Sequence, residues 1–260
     1  MPYLASFHLN PNRERPYPYD VPAIRHARNI ELDSPVTFLI GENGTGKSTL
    51  LETLACELGL PHLDGFGYYK RSYDAARKLA TFLELEWHLE KRGGFFFRAE
   101  DFGDYLKGID LENAKSHLND LKGEVPDAII DRMKESESYQ LREMRKSFGQ
   151  DLDTFSHGEA YLHIMNQRIN KAGIYLLDEP EAALSPAKQL SLIYFINEHL
   201  HTHRSQFIIA THSPMLMAYP GAQIFEITSE GMQKTPLEDT DHYSVTRSFL
   251  NNPEMYLRHF

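Results

Sequence analysis

Apolar residues in this chain gather into short runs separated by polar, glycine-marked or proline-marked breaks. Tyr3-Leu4-Ala5-Ser6-Phe7-His8-Leu9 alternates enough to predict an early strand. The tract Pro16-Tyr17-Pro18-Tyr19-Asp20-Val21-Pro22 must then run extended or looped, because its prolines restrict their own backbone and that of the preceding residues. Val36-Thr37-Phe38-Leu39-Ile40 predicts a strand, and Leu50-Leu51-Glu52-Thr53-Leu54-Ala55 a helix ending near Gly59. Residues Arg71 to Leu89 read as helix, ahead of a compact strand Gly94-Phe95-Phe96-Phe97-Arg98. From Asp104 to about Gln150 the pattern is charged and mostly helical, broken at Gly123 and Pro126, without the sustained heptads of a coiled coil.

An α/β rhythm follows. A helix is predicted from about Gly158 to Lys171, stopped at Gly173, and Ile174-Tyr175-Leu176-Leu177 reads as a buried, parallel-type strand. Ser185 suits an N-cap with Pro186 in the first helical position, starting a helix to about His201. Phe207-Ile208-Ile209-Ala210 and Ile224-Phe225-Glu226-Ile227 predict further strands, and the tail from about His242 to Phe260 reads as helix broken at Pro253. No internal repeat or low-complexity tract interrupts this order. The expected organisation is one domain over residues 1–260, with an α/β core from 1–103 and 151–260 and a small helical lobe over about 104–150.

At 260 residues and 41% hydrophobic content, the chain can bury a sizeable core. Its single cysteine, Cys56, excludes an intramolecular disulfide and any CxxC metal cluster, and is simplest as a small core residue in a reducing compartment. Neither a signal peptide nor a bilayer-length apolar run is visible, so a soluble, cytoplasmic protein without direct membrane insertion is expected. The net charge of −10 argues against a surface dominated by nucleic-acid backbone contacts. Two loose basic groups, Arg13, Arg15, Arg25 and Arg28, then Lys134, Arg142, Arg145 and Lys146, fit solvated faces or interfaces better than a nucleic-acid site.

The chemistry concentrates in four places. Gly41-Glu42-Asn43-Gly44-Thr45-Gly46-Lys47-Ser48-Thr49 sits between a predicted strand and a predicted helix, which is the order a phosphate-binding P-loop requires. Its glycines allow close backbone approach to a polyphosphate, and the helix N-terminus adds partial positive charge. Lys47 can reach the outer phosphates and the Ser48 hydroxyl can ligate Mg²⁺. In Ile174-Tyr175-Leu176-Leu177-Asp178-Glu179-Pro180, two carboxylates end an apolar strand, a costly placement without a purpose. Beside a P-loop, Asp178 can hold the Mg²⁺ shell with Ser48, and Glu179 can orient and deprotonate the attacking water. His212, in Thr211-His212-Ser213-Pro214, ends another apolar strand, and the carboxyl edge of a parallel sheet is where such folds bind ligands. It is placed to sense or polarise a γ-phosphate; the other twelve histidines read as surface or core residues. Finally, Ser156-His157-Gly158-Glu159 precedes a helix, as a second anion-binding terminus would, about 20 residues before Asp178.

Together these residues resemble the ATP-binding-cassette ATPases over nearly the whole chain. Gly41 to Ser48 matches that family's Walker A, and Ser156-His157-Gly158-Glu159 its signature motif, with His157 and Glu159 where transporters more often carry Gly and Gln. Asp178 and Glu179 match Walker B and the catalytic glutamate, Ala182-Ala183-Leu184-Ser185-Pro186 stands in the D-loop position, and His212 matches the switch histidine. The resemblance implies a mainly parallel central sheet with an N-terminal antiparallel β portion and a small helical lobe. It implies ATP and Mg²⁺ as ligands and an ATP-dependent head-to-tail homodimer, each nucleotide held by Walker A of one protomer and Ser156 and Gly158 of the other. The family's Q-loop glutamine has no counterpart in Phe95-Phe96-Phe97-Arg98-Ala99-Glu100; Arg98, as a phosphate contact, or Glu100, as a metal-water contact, stands in its place. Tyr17 or Tyr19 could stack on adenine, or both could simply pack the proline-rich segment.

Two classes compete for the function. The Ser-His-Gly-Glu signature, the Asp178 to Pro186 run and Thr211 to Pro214 look more like stand-alone ATPases related to chromosome-maintenance, recombinational-repair and overcoming-lysogenization-defect proteins. In that class the chain would be an ATP-hydrolysing switch for an effector protein in DNA maintenance or defence, with any nucleic acid reached through the partner. The alternative is the nucleotide-binding subunit of a membrane transporter, which the size fits but the signature and the absent glutamine do not. A small-molecule kinase shares the P-loop but has no need of Ser156 and His212 at these spacings.

Overall fold

The computed structural model describes residues 2–10, 17–62, 73–90, 93–102 and 157–258. The expected helical lobe over 104–150, Ser156, and Arg13, Arg15, Lys134, Arg142, Arg145 and Lys146 of the two basic groups lie outside them.

Two sheets form the frame. Strands β1 (Leu4–Leu9), β2 (Ile30–Glu31) and β4 (Leu83–Trp87) make an antiparallel sheet in the order β2-β1-β4. The second sheet has six strands in the order β5-β6-β7-β3-β8-β9. In it β3 (Val36–Gly41), β5 (Gly94–Arg98), β6 (Ile174–Asp178), β7 (Gln206–Ala210) and β8 (Gln223–Ile227) pair in parallel, and β9 (Met232–Lys234) closes the edge antiparallel to β8. This is the expected α/β architecture, a mainly parallel sheet with an antiparallel β portion contributed from the N-terminal part of the chain.

The unbroken apolar runs are explained by two cores, one on each face of the large sheet. Side chains alternate along a strand. Val36, Phe38 and Ile40 of β3, with Phe95, Phe97, Tyr175, Leu177, Phe207 and Ile209, enter one core with Tyr161, Leu192 and Phe195 of the helices His157–Arg168 and Pro186–His203. Leu39, Phe96, Ile174, Leu176 and Ile208 enter the other, which holds the apolar face of the Lys47–Leu58 helix and β1. Because both faces are covered, the strands have no polar side to show.

Two buried glutamines, Gln206 and Gln223, seal junctions that no apolar residue could. Gln206 accepts from the backbone N–H groups of Tyr3 and Leu4 and donates to Leu4 O, tying β1 to β7. Gln223 accepts from Asp33 N–H and donates to Glu31 O and Thr37 Oγ1, tying β8 to the segment around β2 and to β3. Each amide satisfies backbone groups that would otherwise be buried unpaired.

The structure corrects the helix expected over Arg71–Leu89. Helix runs over Asp74–Ala80, and Leu83–Trp87 is strand β4, in register with β1 from Leu9↔Leu83 to Ser6↔Glu86, with a register shift before Leu4↔Trp87. Leu83-Glu84-Leu85-Glu86-Trp87 is itself a period-two pattern, and β1 supplies the partner that a propensity-based reading lacks. The proline-rich tract ends in a short helix, Pro22–His26. Ser185 does precede the Pro186 helix with extended backbone, but its hydroxyl makes no capping bond. The tail forms two helices, Asp241–Asn251 and Pro253–Leu257, split where the proline predicted.

Candidate nucleotide site

The carboxyl ends of β3, β6 and β7 lie side by side, since β7 pairs with both β3 and β6. That edge gathers the loop 41–46, Asp178 with Glu179, and His212. Gly41 closes β3 with φ 146°, and a Cβ there would fall 2.4 Å from Ile227 O, so the turn out of the strand demands glycine. Gly46 stands at the helix N-cap in the left-handed region, φ 92°, which sends the chain straight into the Lys47–Leu58 helix. Lys47 is buried, and its ammonium donates to Gly41 O at 2.8 Å and Glu42 O at 3.1 Å, lying back across the loop. Burial lowers its pKa, against the pull of Glu179, Asp178 and Glu181, so a polyanion would be a better partner than the carbonyls alone.

Ser48 and Asp178 meet. The Ser48 hydroxyl donates to Asp178 Oδ1 at 3.2 Å, although 130 residues separate them. Asp178 is 2% exposed, and burial pushes its pKa up to about 6, with Arg98 and the Ser48 bond opposing. Among the described residues no group of three His, Cys, Asp or Glu side chains forms an all-protein metal cage. One hydroxyl and one carboxylate on a phosphate loop suit instead a hard cation that takes its other ligands from phosphate and water, as Mg²⁺ does.

Glu179 follows with φ 49°, a left-handed conformation uncommon outside glycine, while its N–H donates to Ala210 O at 2.9 Å. The strain turns the chain off β6 and leaves the carboxylate partly exposed at the sheet edge. His212 Nε2 lies 3.5 Å from Glu179 Oε1. The sequence-predicted residues Lys47, Ser48, Asp178, Glu179 and His212 are thus brought together at one edge. Gly158 lies in the first turn of the His157–Arg168 helix.

The sequence singled out Arg98 and Glu100 without their partners, and gave no sign of Glu181 or His242. Arg98, at the end of β5, is register partner of Asp178, with Nε 3.1 Å from Asp178 Oδ2 and Nη1 2.9 Å from Glu52 Oε1. It therefore sits against the Walker B carboxylate, while Glu100 is largely exposed, 3.6 Å from Arg98 Nε. Glu181 accepts the His212 backbone N–H, and burial raises its pKa. His242, from the Asp241–Asn251 helix, places Nε2 3.1 Å from His212 Nδ1. A cavity of about 750 Å³ lies over the loop, lined by Gly41 to Thr45 on one side and Ile227, Thr228, His242 and Val245 on the other. Tyr19 is buried, edge-on to Phe82 at 6.2 Å, so its ring serves the core, whereas Tyr17 is 66% exposed. Cys56 is free and partly buried, and burial raises its pKa.

The fold and the phosphate loop are those of a P-loop nucleotide-binding domain. The family described as "AAA domain, putative AbiEii toxin, Type IV TA system" matches residues 77–218, more than half of the chain, and the chain belongs to it. A further AAA-domain family matches residues 17–59, which span the phosphate loop. No curated protein sequence matches. Among solved structures, one described as an inward-facing "putative metal-chelate type ABC transporter" is similar at 17% identity and TM-score 0.50, covering 95% of this chain and 88% of that one. The Smc head domain from Pyrococcus furiosus, bound to the C-terminal domain of ScpA, is similar at 14% identity and TM-score 0.47, covering 98% and 100%. CbiO1 of Clostridium perfringens, part of the ABC transporter complex cbiONQ, is similar at 15% identity and TM-score 0.45, covering 100% of both chains. No helix among the described residues is long and apolar enough to cross a membrane.

Proposed function

We propose that the chain binds and hydrolyses MgATP at a head-to-tail dimer interface and uses the cycle as a switch for an effector protein. The observation that carries this reading is the convergence of Lys47, Ser48, Asp178, Glu179 and His212 on one sheet edge from three separate strand ends.

Backbone N–H groups of Gly44, Thr45 and Gly46 and the Lys47–Leu58 helix terminus receive the phosphates, joined by Lys47 and by Glu42, Asn43 and Thr49 in the surrounding loop. Ser48 and Asp178 would hold Mg²⁺, which when bound supplies positive charge against the phosphate oxygens. Glu179, partly exposed at the edge, orients a water for in-line attack on the γ-phosphorus and takes its proton. His212 and Lys47 donate toward the γ-phosphate oxygens, where charge shifts as the bond to ADP breaks. Ser156 and Gly158 of a second copy would close the site from the far side, making nucleotide part of the interface.

The family's description as toxin and type IV toxin–antitoxin system supports a defence setting over transport. The test is Mg²⁺-dependent phosphate release by wild-type protein and by Glu179→Gln and Lys47→Ala. The reading expects turnover in the wild type only, with nucleotide still bound by Glu179→Gln. Turnover unchanged in Glu179→Gln would overturn the hydrolytic assignment. Recovery of the protein in a stable complex with a polytopic membrane protein would replace the effector switch by a transporter subunit.

A further inference from the structure

We infer that His242, on the first turn of the Asp241–Asn251 helix, is a positioning residue that fixes which ring nitrogen of His212 carries the proton. The inference rests on the ATPase reading for its consequence, but its geometry stands apart from it.

The two rings share one short contact, His212 Nδ1 to His242 Nε2 at 3.1 Å, with centroids 5.3 Å apart. Burial lowers the pKa of both; Lys47 lowers that of His212 further, and His212 and Lys47 lower that of His242, so both rings are neutral near pH 7 and carry one proton each. A hydrogen bond between two neutral imidazoles needs one donor and one acceptor, leaving two arrangements.

If His212 Nδ1 donated, its Nε2 would be a bare lone pair set 3.5 Å from a Glu179 carboxylate oxygen. His242 Nδ1 would then carry the second proton, and that atom is buried with no hydrogen-bond partner among the described residues. Both features are unfavourable: lone pair would face anion, and a buried N–H would be orphaned. If His242 Nε2 donates instead, His212 Nε2–H faces Glu179, and the atom left unpaired on His242 is an acceptor. Both considerations select this second arrangement. His212 Nε2 is itself buried and without a hydrogen-bond partner among the described residues, so its proton is held ready for a ligand oxygen. The proton is therefore on the nitrogen that faces Glu179, the side from which His212 would donate in the proposed reaction.

The helix start is fixed firmly enough to do this. Thr240 is fully buried, its hydroxyl accepts Tyr243 N–H and donates to Leu237 O, and it caps the helix. His212 is held from the other side by its backbone bond to Glu181. His242 thereby makes a helix remote in sequence part of the hydrolytic site, acting through His212.

Four proteins test this: His242→Ala, His242→Gln, His212→Ala and the His212→Ala/His242→Ala pair. Glutamine keeps an N–H donor near the position of the imidazole Nε2. His242→Ala should lower kcat about 10- to 100-fold while ATP affinity stays within about threefold, the scale seen when a residue orienting a functional histidine is removed. His242→Gln should recover most of that loss, and the double variant should turn over no more slowly than His212→Ala. Nitrogen-15 imidazole shifts of His212 in the nucleotide-free protein should report an Nε2–H tautomer in the wild type and His242→Gln, and a mixture in His242→Ala. Wild-type kcat in His242→Ala, or an unchanged tautomer, would overturn the inference. If the wild type hydrolyses nothing, the ATPase reading fails and the nitrogen-15 measurement alone decides the role of His242.

Discussion

Arg98 Nε lies 3.1 Å from Asp178 Oδ2, joining neighbouring parallel strands at the residues in direct register. Burial pushes Asp178 toward its neutral form, and Arg98 is the strongest group opposing that push. The guanidinium also neutralises Glu52 at 2.9 Å. It holds two partly desolvated carboxylates in place beneath the nucleotide site.

Removing that charge should be costly. Arg98→Ala removes the guanidinium that pairs with two largely buried acids, and the loss expected for breaking such a cluster is about 3–5 kcal/mol. Arg98→Lys should fall between, because an ammonium cannot serve two carboxylates with a planar fork. Urea unfolding at pH 7.5 measures both; equal stability of Arg98→Ala and wild type would show the pairing to be incidental.

Gly41 gives a test of the loop's backbone. An alanine Cβ at φ 146° would meet Ile227 O at 2.4 Å, in a conformation that L-residues rarely adopt. Gly41→Ala should cost roughly 1–3 kcal/mol of stability and weaken nucleotide binding, read by thermal melts with and without MgATP. Gly44→Ala, where a Cβ meets nothing within 4 Å, keeps only the conformational penalty and should cost less stability.

His62 predicts a pH dependence unrelated to catalysis. Its ring lies 4.1 Å from Tyr73 and 4.8 Å from Phe96, and burial pushes its pKa down to about 4, with Arg98 and Arg77 adding to the effect. The unfolded chain binds the proton near pH 6.5 and the folded chain only near 4. Stability is therefore unaffected above about pH 6.5 and falls as pH drops through the window down to about 4, where the unfolded state holds more protons. Denaturation midpoints at pH 7.5 and 5.0 should differ less in His62→Phe than in wild type. An equal drop in both proteins would remove His62 as a cause.

Much of the sheet was legible because burial on both faces writes continuous apolar runs; β3, β5, β6, β7 and β8 stand where those runs fall. β4 was hidden because Leu83-Glu84-Leu85-Glu86-Trp87 follows directly on a helical stretch, and only pairing with β1 decides its state. In the site, Lys47, Ser48, Asp178, Glu179 and His212 declared themselves by motif order. Arg98 was visible as a charged residue in an unexpected place, but not as the register partner of Asp178. His242 carried no signal: its partner lies 30 residues away, across a helix start that only tertiary packing positions. Glu181 lies inside the Walker B run, yet its bond to the backbone of His212 depends on a turn whose left-handed Glu179 no composition announces.

The central claim is that nucleotide joins two copies of this chain. Glu179→Gln should bind MgATP without consuming it, so the assembled state accumulates. Sedimentation of this variant at saturating MgATP measures that directly. A shift from monomer to dimer with MgATP, absent with ADP and absent when Lys47→Ala is added, is the predicted result. A Glu179→Gln protein that binds MgATP yet remains monomeric would contradict the account.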